Sequence, residues 1–161
     1  MAVSLLAFFQ WCEDSRVGEA IRVSAWLFPG IEAVQLLGLV VIAAAVLVVD
    51  MRLFGIGLQD HSVAQLARDA QPWLVGSLGV MLITGVLLFL AEAIKCYYSF
   101  PFWVKMACLA LAILFTFTVR RKVVFADEAR VGPVWSKLTA LTSVGLWAGV
   151  GWGGRWIGFS G

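Results

Sequence analysis

The run from Ile31 to Val49 constrains this chain more than any other stretch. As a helix it makes a rod of roughly 28 Å, close to the thickness of a bilayer's hydrocarbon core. From Leu36 to Val49 no side chain is polar, so this helix has no face to offer to water. Just upstream, Glu32 and Gln35 stand three residues apart and share one helix face. The polar end of this span is where function is to be sought.

The rest of the chain agrees with a membrane setting. Of its 161 residues 61% are apolar and only 14% charged, and a mean hydropathy of +0.93 lies outside the ordinary soluble range. Residues 1–161 read as a single integral membrane domain. The formal charge of +2 is small and dispersed, which argues against a nucleic-acid partner.

Residues 1–28 hold Glu13, Asp14, Arg16, Glu19 and Arg22, too many charges for a span, and suit amphipathic helices lying in the membrane interface. Spans are expected over about residues 30–51, 73–91, 101–119 and 138–157, with Pro29, Pro72 and Pro101 at or near helix starts. Ser62 and Gln65 make a capping box that opens a short helix through Ala70, which Pro72 interrupts. The Asp50, Met51, Arg52 edge ends the first span, and Arg120, Arg121 and Lys122 stop the third. The expected fold is all-α, a four-span transmembrane bundle with an N-terminal interfacial segment.

Lys and Arg are more numerous in the first and third connections (Arg52, Arg68, Arg120, Arg121, Lys122, Arg130, Lys137) than in the termini and middle connection (Arg16, Arg22, Lys95, Lys105, Arg155). The positive-inside rule then puts both termini on the periplasmic side of a bacterial inner membrane.

Alternation of the spans brings Glu32, Gln35, Glu92, Lys105 and Arg155, with Lys95, to the outer end. They are either solvated helix-end groups that set depth, or the lining of a polar pocket for a quinone head group, another small ligand or a relayed proton. Gly145, Gly149 and Gly153 recur every four residues, a stripe that lets another helix approach, either within the bundle or from another subunit. His61 is the only histidine, which excludes paired-histidine haem within one chain and leaves no metal site to expect. Cys12 and Cys96 both face outward in this topology, where an oxidising compartment could bridge them; Cys108 reads as a core residue. No phosphate loop, zinc-protease motif or nucleophile with a nearby histidine occurs, so no catalytic residue is assigned and a conventional enzyme is not expected.

Three functions fit these observations. The first is a non-catalytic integral membrane subunit that anchors or positions partner proteins, its partners being the bilayer and other membrane subunits or a second copy. The second is a redox-chain accessory that binds a quinone or cofactor at the outer charged cluster. The third is a small proton-coupled transporter relaying through Glu32 and Glu92.

The stretches Phe9 to Trp11 with Glu13, Trp26 to Glu32, Asp50 to Leu53, Phe102 with Lys105, and Gly154 to Ile157 resemble an uncharacterised family of bacterial four-helix inner-membrane proteins, a domain of unknown function. The resemblance spans almost the whole chain. It implies a four-span bundle with an amphipathic N-terminal segment, and no activity.

Overall fold

The structure, a computed structural model, describes residues 2–57, 60–126 and 131–159; Arg130, counted above for topology, lies outside them. Every element is helical, with no strand among the described residues. In order they are α1 (Ala2–Glu13), α2 (Arg16–Val23), α3 (Leu27–Phe54), α4 (Val63–Ala91), α5 (Ala93–Tyr98), α6 (Phe100–Phe115), a π-turn (Thr116–Arg120), α7 (Arg121–Phe125) and α8 (Pro133–Phe159).

Serines start several of these helices. Ser15, Ser24 and Ser62 accept hydrogen bonds from the amides of Gly18, Leu27 and Gln65 at 3.1, 3.2 and 3.2 Å, filling donors that a helix start leaves open. At the other end of α3, Gly55 takes a left-handed conformation (φ 80°), and the amides of Gly55 and Ile56 donate back to Arg52 and Met51. Arg52 Nε donates to the His61 carbonyl at 2.9 Å, which closes the short link to α4.

Among the described residues three helices are long and apolar enough to cross a membrane: Leu27–Phe54, Val63–Ala91 and the continuous Phe100–Phe125. The fourth long helix, α8, equals them in length, but its Gly, Trp, Ser and Thr residues leave it less apolar. Contacts run in opposite order along the pairs: Gly149 meets Cys108 and Gly153 meets Lys105, while Gly38 meets Ser77 and Gln35 meets Gly85. The long helices therefore run up, down, up and down. Their common centre is Ile42, Val46, Leu78, Met81, Leu109, Ala112, Trp147 and Val150.

The outside is as apolar as the inside. Leu37, Val40, Ile83, Val86, Leu114 and Leu141 point outward, a surface that lipid solvates and water does not.

Two helix boundaries differ from expectation. Pro72 does not restart the chain but lies inside α4. Arg68, whose carbonyl the proline ring displaces from hydrogen bonding, is exposed, so water can satisfy that carbonyl beyond the apolar part of the helix. Nor do Arg120 to Lys122 stop the third long helix, which continues to Phe125 through the π-turn. Ala112, Thr116, Arg120 and Val124 are all buried, at a strict spacing of four. A plain α-helix rotates by about 40° at each such step, and the wider π-turn absorbs that drift, keeping all four on one face.

Candidate functional site

One cavity of about 300 Å³ opens at the end of the bundle where α3 begins, and helices α3, α4, α5, α6 and α8 all line it. It brings together every polar residue expected at the outer end: Glu32, Gln35, Glu92, Lys95, Lys105 and Arg155. Phe28, Phe89 and Phe102 add aromatic wall, and Leu36, Leu39, Met81 and Val150 form an apolar floor.

Local packing explains how the polar groups reach it. Gly85 leaves room for Gln35, whose Nε2 lies 3.4 Å from where a Cβ would stand. Gly153 lets α8 close onto α6, since its Cβ would come 3.0 Å from Lys105 Cβ and 3.3 Å from Lys105 Cα. The Lys105 stem then runs past Gly154. Glu92 and Lys95 form a half-exposed pair at 3.6 Å. Lys105 and Glu32, by contrast, have no ion-pair partner among the described residues. An ammonium and a carboxylate from different helices thus face one cavity with their charges uncommitted. That arrangement can bind a head group bearing both hydrogen-bond acceptors and donors.

The glycine stripe divides. Gly149 and Gly153 are taken up by α6 of the same chain, whereas nothing lies within 4 Å of a Cβ at Gly145.

Cys12 and Cys96 sit in one buried cluster with Phe9 and Ala93, and both are free thiols. Burial, helped by the Glu92 charge, pushes Cys96 up to about 11. Such a thiol is an inert packing group.

The opposite end of the bundle holds a polar centre that the sequence reading missed. Asp50 and Arg120, read there as a helix edge and a topology signal, are a buried ion pair, with side chains 1% and 7% exposed. Arg120 Nε donates to Asp50 Oδ1 at 3.0 Å, and Nη2 donates to the Val46 carbonyl at 3.2 Å. Ser143 of α8 turns toward Asp50, its Oγ buried like Asp50 Oδ2. One turn away, Trp147 Nε1 donates to Thr116 Oγ1 at 3.4 Å. The signal was present: Asp50 continues the Ile42, Val46, Val49, Leu53 face of α3, so it could not be a solvated edge residue.

The fold and these sites define a class: a helical bundle with apolar, membrane-length helices, an open charged cavity at one end and a buried ion pair at the other. The chain belongs to the family of unknown function DUF6644, whose model matches residues 8–160. No curated protein and no solved structure matches it. Among the described residues no group of His, Cys, Asp or Glu could hold a metal ion.

Proposed function

We propose that this protein binds an amphipathic ligand of the quinone type in the cavity at the start of α3, as a non-catalytic accessory of a membrane redox chain. One observation carries the reading: uncommitted Lys105 and Glu32 face a single cavity walled by Phe89 and Phe102. Its volume of about 300 Å³ is at the lower end of ligand pockets, and its apolar floor suits the start of a lipid tail. The Lys105 ammonium and the Gln35 amide donate to the carbonyl oxygens of the ring, and the Glu32 carboxylate accepts from a hydroxyl of the reduced quinol.

The same reading places the chain in the bacterial inner membrane with four spans. In support, α8 lies antiparallel along α6, and exposed Trp135 stands at one end with Trp26 and Trp156 at the other. Helices α1 and α2 lie in the outer interface. Arg52, Arg68, Arg121, Lys122 and Lys137 gather at the cytoplasmic end, leaving both termini periplasmic. A proton relay across the membrane is the weaker reading, because the apolar cluster around Ile42, Leu109 and Trp147 separates the cavity from Asp50.

The test is binding of a short-tailed benzoquinone to the protein in lipid nanodiscs. Lys105→Met should weaken binding of the quinone, and Glu32→Gln binding of its reduced quinol, at least tenfold while circular dichroism stays unchanged. Wild-type affinity in both variants, or no binding by the parent protein, overturns the reading.

A second reading, the positioning of partner proteins, draws on the outward stripe of α8, Leu138, Leu141, Gly145 and Trp152. Native mass spectrometry from the host membrane decides it: stoichiometric partner chains support it, and a lone monomer removes it.

A further inference from the structure

The cavity wall has a fault line at Glu92. Its backbone (φ −134°, ψ 43°) breaks the helical run between α4 and α5, and no side chain of α5 or its N-cap residue caps the new helix start. The break is held from outside. Ile94 N donates to Glu13 Oε2 at 2.6 Å, and Arg22 Nη1 donates to the Ala91 carbonyl at 3.2 Å, so residues of α1 and α2 grip both flanks of Glu92. Glu13 and Arg22 are also bound to each other: Arg22 Nη1 is 2.9 Å from Glu13 Oε1, and Nη2 donates to the Glu13 carbonyl at 3.2 Å. Gly18 of α2 rests on the Leu90 carbonyl, where any Cβ would collide.

Neither Glu13 nor Arg22 lines the cavity, whereas Glu92, Lys95 and Cys96 in the gripped segment do. We propose that Glu13 and Arg22 are positioning residues for the cavity: clamped as a pair across the α4/α5 break, they hold Glu92 and its neighbours in the wall without touching a ligand. What fills the cavity rests on the quinone reading above; the clamp does not. Removing Glu13 leaves the Ile94 amide without its acceptor, and removing Arg22 frees the Ala91 carbonyl. Either loss leaves one uncompensated polar group at the helix break, and the wall loses its fixed shape.

The experiment compares Glu13→Ala, Arg22→Gln and Glu13→Gln with the parent protein in nanodiscs, by three readouts. They are amide hydrogen exchange over residues 93–98, the carboxyl carbon signal of Glu92, and affinity for a decyl-tailed benzoquinone, with Glu92→Gln as the site control. Glu13→Ala and Arg22→Gln should raise exchange at least tenfold, shift or broaden the Glu92 signal, and weaken the quinone several-fold. Glu13→Gln keeps an acceptor for Ile94 and should fall between them and the parent, which also covers any failure of the alanine variant to fold. Unchanged exchange, or faster exchange with an unmoved Glu92 signal, overturns the clamp. If the parent protein binds no quinone, the ligand reading fails, and exchange and the Glu92 signal still decide the clamp.

Discussion

Arg120 Nε sits 3.0 Å from Asp50 Oδ1, joining two long helices through partners 70 residues apart. Both groups are buried inside helices long and apolar enough to cross a membrane, where an unpaired charge is expensive. Asp50→Asn should therefore cost about 3–5 kcal/mol, because it strands the guanidinium. Replacing both, as Asp50→Leu with Arg120→Met, should recover most of that loss. Unfolding titrations in mixed micelles measure the two variants, and equal losses in the single and double variants would contradict a pairing role.

The glycines of α8 should separate by position. Gly153→Leu pushes against the Lys105 backbone and should cost about 1–3 kcal/mol, the usual range for overpacking. Gly145→Ala meets open space and should be neutral or stabilising by up to about 1 kcal/mol, since alanine favours the helix. Thermal unfolding of the variants gives the order, and a reversed order would mean that α8 packs by another face.

Cys96, pushed up to about 11, should resist maleimide at neutral pH in the folded protein. Its labelling rate should climb as pH approaches 11, measured by intact mass. The linkage sign follows from the raised value: the folded state holds the thiol proton more tightly than the unfolded chain, whose ordinary value is 9.0. This contribution is intact below about pH 9 and is lost as pH rises toward 11. A Cys96→Ala variant should lack that part of the alkaline loss of stability.

The proposed topology leaves the basic residues in the cytoplasm. A C-terminal alkaline phosphatase fusion should be active and a C-terminal green fluorescent protein fusion dark. The opposite pattern would invert the bundle and put the charged cavity at the cytoplasmic face.

Much of the fold was legible because bilayer solvation acts on composition and length, both of which are local. The apolar run ending at Val49, the proline at the start of α6 and the glycine after α3 each carry their physical reason in the sequence. Pro72 misled because a proline ends a helix only when nothing compensates it, and here exposure at Arg68 allows water to do so. The outer polar residues could be grouped in advance, since alternating helices bring every second boundary to the same end. The cavity they line could not, because it depends on how closely α8 approaches α6 at Gly153.

By itself, then, the sequence determined that long apolar helices dominate this chain, and it grouped Glu32, Gln35, Glu92, Lys95, Lys105 and Arg155 at one end of the bundle. Tertiary structure alone decided which charges are partners. Asp50 and Arg120 look like boundary residues until α3 and the π-turn are side by side, and Glu13 and Arg22 look like interfacial charges until they close over the break at Glu92. The physical reason is range: transfer from water to lipid is set residue by residue along the chain, whereas an ion pair or a clamp is worth its desolvation only when distant segments meet within about 3 Å.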